Sequence, residues 1–255
     1  DSGQARMTKK VETISEENKQ FNKFLRSGRA FVKIQEGCDN RCSYCVVPYV
    51  RERLYSKPKK EIVAEILRRD KEGMTEIIIT GTNLGKYKYG LTNLLEEILK
   101  KTTMPLISFG SINYEAINED MEKFIKICQS PRIAKHFHIP LQSGSAKILK
   151  LMGRPYTIDG FQKTLDRLEK AFPGITFGTD IIVGFPGEEK EDFRATVDFV
   201  KRNRFLKLHV FRFSKRPGTL AGEKESFWGK VDEAAKKSRA EVLRKMATGQ
   251  GKAVV

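Results

Sequence analysis

Apolar residues are sparse and unpatterned over residues 1–28, which run out in Arg26-Ser27-Gly28 and read as a polar linker or tail. From Phe31 the pattern becomes regular. Phe31-Val32-Lys33-Ile34 has the look of a short strand leading into a loop. Ile62, Val63, Ile66 and Leu67 then recur at helical spacing, with Ser56 or Lys57 near the cap, Pro58 in the first turn and Gly73 as the stop. Residues 76–80 form a continuous apolar run closed by Gly81, the pattern of a strand covered on both faces.

The unit then recurs. Helical patterns over 91–101, 117–129, 145–152, 157–172 and 189–203 separate strand patterns over 106–110, 136–140, 175–184 and 206–213. Six strands, each parted from the next by helix, predict an α/β chain with a parallel sheet and right-handed crossovers. Six units are too few for a closed eight-unit barrel but suit an open, curved three-quarter barrel; a flat doubly wound sheet is the alternative. Residues 29–215 form this core. Residues 216–230 read as loop. A last amphipathic helix follows, with Val231, Ala234, Ala235, Val242, Leu243 and Met246 as its apolar set. The 216–255 portion is expected to lead towards a further C-terminal domain.

Charge changes the picture next. Lys and Arg number 48 against 32 Asp and Glu, a formal +16. Such an excess draws polyanions, of which nucleic acid is the commonest. Arg51, Arg53, Lys57, Lys59 and Lys60 form one basic group, as candidate RNA contacts. Lys236, Lys237, Arg239, Arg244 and Lys245 form a second, for which a solvated helix face is the competing reading. No apolar run approaches the roughly 20 residues of a membrane helix, and the N-terminus shows no signal-peptide pattern. A reducing, cytoplasmic setting is expected.

Three of the four cysteines, Cys38, Cys42 and Cys45, lie in Glu36–Tyr49 with the spacing C-x3-C-x2-C, directly after the first strand. Active sites of barrels and α/β sheets sit at that end. Thiolates on one tight loop converge on a metal cluster; iron–sulfur clusters usually take four cysteines, so three leave one iron without a protein ligand. A zinc site completed by a histidine or by Cys128 is the alternative, but no second C-x2-C half exists. A redox pair of Cys42 and Cys45 leaves Cys38 without a task. Cys128, among the apolar residues of a helical pattern, reads as a buried small side chain.

With Tyr44 as the aromatic of C-x3-C-x-aromatic-C, the loop resembles that of radical S-adenosylmethionine (SAM) enzymes. Five stretches resemble successive blocks of the methylthiotransferases: residues 37–53, 76–87, 136–157, 179–188 and 209–219. The resemblance covers residues 30 to about 245. Within that family Thr80-Gly81-Thr82-Asn83-Leu84-Gly85 most resembles the branch acting on N6-threonylcarbamoyladenosine beside the tRNA anticodon. The isopentenyladenosine and ribosomal-protein branches, or another radical SAM reaction such as RNA methylation, are the alternatives. The resemblance implies a (β/α)6 partial TIM barrel of the radical SAM type. It also implies a 4Fe–4S cluster on Cys38, Cys42 and Cys45, SAM on the open iron, and one-electron cleavage to a 5′-deoxyadenosyl radical.

The same resemblance implies a SAM site at the strand ends. Tyr44, Thr80, Gly81, Thr82 and Asn83 surround the methionyl part, with Ser111 beside them. Gln142 and Ser143 meet ribose or carboxylate, with Ser145 as a helix cap, and Arg154 pairs with the carboxylate. Asp180 is a polar contact inside an apolar strand, and a carboxylate there needs a partner. Val183, Gly184 and Phe211 lie against adenine, although Phe211 reads equally as core. His138 reads as a satisfied strand histidine. The family further implies tRNA as partner, a flavodoxin- or ferredoxin-type reductant, a monomeric state, and an auxiliary 4Fe–4S cluster on an N-terminal domain outside this chain. Without that domain, SAM cleavage without completed methylthiolation is the expected activity. A non-enzymatic RNA-binding module with a structural metal is the remaining alternative.

Overall fold

A computed structural model describes residues 28–51 and 53–250; the polar stretch expected before Gly28 lies outside the described residues. Strand β1 (Arg29–Glu36) turns Ala30, Val32 and Ile34 towards the helices. Helix α1 (Val47–Val50) closes the cysteine loop, and the short strand β2 (Tyr55–Ser56) runs antiparallel to the end of β1. Helix α2 (Lys59–Lys71) leads to β3 (Glu76–Gly81), α3 (Leu91–Lys101) to β4 (Leu106–Phe109), and α4 (Tyr114–Asn118) with α5 (Met121–Cys128) to β5 (His136–His138). Helices α6 (Ala146–Leu151) and α7 (Ile158–Ala171) precede β6 (Thr176–Val183), and α8 (Lys190–Asn203) precedes β7 (Lys207–Arg212). Short helices α9 (Leu220–Glu223) and α10 (Glu225–Trp228) and the long α11 (Glu233–Gln250) complete the described chain.

Six strands run parallel, in the order β1-β3-β4 and β5-β6-β7, with β2 outside β1. The two groups meet at a seam. There the Ile107 N–H bonds the Arg132 carbonyl at 2.7 Å and the Ala134 N–H bonds the Ile107 carbonyl at 2.9 Å. Among the described strands β1 and β7 are not paired, so the barrel is open, as expected for six units. A flat two-sided sheet is excluded by burial. Along each strand one set of alternate residues is buried under helices, while the other set, Gln35 and Gly178 excepted, lines a partly exposed concave face.

Local chemistry explains the boundaries. Helix α2 starts after Pro58, which occupies the cap position rather than the first turn; the ring has no N–H to leave unpaired. Its Ile62 and Ile66 are fully buried, each contributing about 2 kcal/mol of transfer free energy. The single helix expected over 117–129 is two, because the Asp120 side chain accepts from the Lys123 N–H and starts α5 afresh. Helix α8 opens on a reciprocal capping box between Glu189 and Asp192. The expected loop 216–230 holds α9, capped by Thr219, and α10.

The last helix differs most from its predicted face. Lys236, Ala240 and Leu243 are its buried stripe, at helical spacing, while Val242 is exposed. Gly184 is the reason: at φ +69° it has no side chain, and a Cβ there would lie 2.2 Å from Lys236 Cγ. The lysine stem lies across the glycine, and its ammonium sits over the Phe213 ring and pairs with Glu233 at 2.9 Å.

Candidate active site

The thiol loop is pinned at both ends. Gly37, at φ +82°, lets the chain leave β1 so tightly that a Cβ would lie 2.4 Å from the Arg53 carbonyl. Buried Gln35 donates to the Glu36 and Gly37 carbonyls and accepts from the Asn83 N–H at 2.8 Å. On the other side the Ser43 N–H and hydroxyl bond the Met152 and Leu151 carbonyls, and the Ala221 N–H bonds the Ser43 carbonyl. Helix α6 and the start of α9 therefore hold the middle of the loop.

Cys38, Cys42 and Cys45 are partly exposed and unbridged. Two side chains reach them, one from the end of β3 and one from the turn between α6 and α7. Asn83 Nδ2 lies 3.5 Å from Cys38 Sγ, and Arg154 Nη1 lies 3.3 Å from Cys42 Sγ. Both are N–H donors directed at a cysteine sulfur. Burial, then the neighbouring thiols Cys42 and Cys38, push the Cys45 thiol up. Cys128 is elsewhere, fully buried in the core, its thiol pushed up to about 12 by burial. It completes no site. The donor set is three thiolates without a fourth protein ligand among the described residues, which fits an iron–sulfur cluster with an open iron better than a closed zinc site.

Of the expected SAM residues, Asn83, Arg154 and Tyr44 lie beside the thiols. Tyr44 packs edge-on against Phe185, in a small cluster with Ile148, Met152, Phe213 and Ala221; burial pushes its phenol far up. Thr80 faces the concave side, and Gly81 lies against Gln35, where β1 shifts register. Thr82 accepts from Arg51 at 3.3 Å, and Ser111 stands just past β4. Arg154 also donates to the Tyr156 hydroxyl at 2.9 Å, which contacts the Pro140 and Leu141 carbonyls. Gln142 has φ +73°, the left-handed region, held by backbone bonds to Asp180 and Ile182. Strain of about 1–3 kcal/mol persists where structure enforces it, and such residues cluster at working sites.

Other expected contacts go elsewhere. Val183 is fully buried and points to the helices, because β6 alternates and Asp180 and Ile182 take the concave face. The close approach at Gly184 is to Lys236. The Ser143 hydroxyl is buried against Thr196, and Ser145 caps α6 as expected while donating to Asp192. Phe211 is not core: it is 53% exposed on the concave side, edge-on to His209. Asp180 meets two imidazoles rather than open space, His138 Nε2 at 2.8 Å and His209 Nδ1 at 2.9 Å. Burial opposes its charge, but those two contacts outweigh burial and hold the carboxyl below the usual range.

Of the first basic group, Lys57 pairs with Glu65 at 2.7 Å, Lys59 with Glu97 at 3.3 Å and Arg51 with Glu36 at 3.1 Å. Arg53 and Lys60 are exposed with no carboxylate partner among the described residues. Gln35, Asn40, Glu115 and Tyr156 were not legible as site residues. Asn40, inside the thiol loop, donates to Glu115 at 3.1 Å, and the other Glu115 oxygen is buried without a partner. Only the three-dimensional path of the loop brings them together.

Residues 32–200 match the Radical SAM superfamily. A Thermotoga maritima protein named threonylcarbamoyladenosine tRNA methylthiotransferase MtaB is 42% identical over 86% of this chain and 50% of its own length. A Natranaerobius thermophilus protein named tRNA-2-methylthio-N(6)-dimethylallyladenosine synthase is 39% identical over 92% of this chain and 53% of its own. The chain thus spans about half the length of the curated relatives it matches. Among solved structures, the radical SAM methyltransferase TsrM from Kitasatospora setae, with tryptophan and a SAM analogue bound, superposes with a TM-score of 0.66. It is 20% identical and covers 79% of this chain and 39% of that one, a likeness of fold. The thiol nest at the mouth of an open six-strand barrel and the match over 32–200 agree: the chain belongs to the radical SAM superfamily.

Proposed function

We propose that the chain is the radical core of a tRNA methylthiotransferase that adds a methylthio group to C2 of N6-threonylcarbamoyladenosine beside the anticodon. The observation that carries this is the three-cysteine loop, Cys38, Cys42 and Cys45, approached by Asn83 from the end of β3 and by Arg154 from the turn between α6 and α7. When bound, a 4Fe–4S cluster and SAM supply a 5′-deoxyadenosyl radical. The protein's own share is positional. Cys38, Cys42 and Cys45 would hold the cluster. Asn83 and Arg154 stabilise the sulfur charge, and Thr80, Thr82, Ser111 and Gln142 offer polar atoms around the mouth. Phe211 offers an exposed ring for adenine. Arg53 and Lys60 receive RNA phosphates, which position without reading sequence.

Three of the relatives, at 42%, 38% and 36% identity, carry the threonylcarbamoyladenosine name. Five relatives at 36–39% identity, named for dimethylallyladenosine, support a second reading with that base as target. Among the described residues no helix is long and apolar enough to cross a membrane. A cytoplasmic monomer served by a flavodoxin- or ferredoxin-type reductant completes the proposal, since free thiols at an open mouth need a reducing compartment. The test is anaerobic reconstitution with iron and sulfide, then reduction with SAM and mass spectrometry. 5′-Deoxyadenosine should form in the parent and vanish in Cys38→Ala. Its persistence in that variant overturns the cluster assignment. With the auxiliary-cluster domain supplied, a 2-methylthio product on dimethylallyladenosine tRNA alone would transfer the reading to the second base.

A further inference from the structure

The concave face of β5–β7 carries a second built site, distinct from the thiols. Asp180 stands at the middle of β6, and His138 and His209 flank it from β5 and β7. Both imidazoles contact the same carboxylate oxygen, Oδ1, and their rings lie 4.8 Å apart, tilted by 34°. The seat is made for them. A Cβ at Gly178 would come within 2.5 Å of His138 Nδ1, so only glycine leaves room for that ring. Buried Thr179 ties the two strands by donating to the Ile139 carbonyl and accepting from the Leu141 N–H. The strained Gln142 clamps the Asp180 backbone at 2.7 Å.

An ionised carboxylate only accepts, so each contacting nitrogen carries its proton. In the neutral ring, His209 is then the Nδ1–H tautomer, and its Nε2 is an acceptor with a free lone pair. Among the described residues that nitrogen has no hydrogen-bond partner. Its side chain is 29% exposed, on the strand face that also carries Phe211. A histidine locked at one nitrogen and open at the other is poised to meet a ligand N–H.

Resting on the tRNA reading above, we propose that His209 contacts the target base directly, accepting at Nε2 a hydrogen bond from an exocyclic N–H of a purine, with Asp180 and His138 as its positioning residues. The site thereby distinguishes a purine whose exocyclic nitrogen bears hydrogen from one that is fully substituted.

The experiment uses this chain and synthetic anticodon stem–loop RNAs that differ only at the adenosine 3′ of the anticodon. That base is adenosine, N6-methyladenosine with one N–H, or N6,N6-dimethyladenosine with none. Fluorescence anisotropy should show the first two binding within about twofold of each other and the third about fivefold weaker, the worth of one neutral hydrogen bond. In His209→Phe the three should bind alike. His209→Gln, whose amide oxygen can accept, should keep part of the preference, which a purely structural role would not produce. Melting curves establish that both variants are folded. Equal binding of all three RNAs by the parent, or an intact preference in a folded His209→Phe, overturns the inference and leaves the tRNA reading standing. Absence of RNA binding by a SAM-cleaving protein removes both. Stoichiometric zinc in a variant lacking the three loop cysteines, lost on Asp180→Asn, would make the triad an ion site and overturn it as well.

Discussion

Two basic groups look alike in the sequence and end in opposite situations. The group after the thiol loop includes Arg53 and Lys60, exposed and without carboxylate partners among the described residues. The group on α11 is turned inward at its start. Lys236 is 3% exposed and pairs with Glu233, while Arg239 pairs with Glu188 at 2.6 Å. Glu188 is itself buried; burial pushes its carboxyl up despite the arginine beside it. Positive charge at the barrel mouth is available to a partner, whereas on α11 much of it is spent on counter-ions of the same chain. Charge density along a sequence counts ions; it does not say which of them have already been neutralised.

The largest test of that contrast is Arg239→Ala. It strands a buried carboxylate, and stability measured by urea denaturation should fall by about 3 kcal/mol. The double variant Glu188→Gln, Arg239→Met should recover most of the loss. If the single variant melts with the parent, α11 is a solvated face after all. Next comes Gly184→Ala. A methyl at φ +69°, pressed on the Lys236 stem, should cost about 2 kcal/mol by the same measurement. An unchanged midpoint would mean that the lysine is not seated there. The smallest effect belongs to the mouth. Arg53→Ala and Lys60→Ala should leave the melting point unmoved but weaken RNA binding severalfold each, and lower the slope of log affinity against log salt by about one per side chain. Loss of RNA affinity in Arg239→Met, Glu188→Gln instead would reverse the assignment.

The fold and the thiol site were legible to different depths for related reasons. Strand and helix patterns from Phe31 onward predicted six parallel strands, and six appear, because each pattern is set by residues a few positions apart. The two-residue strand β2 was not legible: Tyr55 and Ser56 pair only because Gly37 turns the loop back onto β1. Asp180 was legible as a carboxylate needing a partner, but its partners were not. His138 read as a satisfied strand histidine, and the structure makes it one side of a three-residue site.

Sequence alone determined the order of strands and helices, the three-thiol spacing on one loop, and the excess of positive charge. All are properties of composition or of residues close along the chain. Tertiary structure decided which face of β6 carries Asp180 and which carries Val183, which lysine lies across Gly184, and which donors approach the sulfurs. Arg154 meets Cys42 across 112 positions of sequence. Such a contact is fixed by how the turn between α6 and α7 packs on the thiol loop, and no local period encodes it.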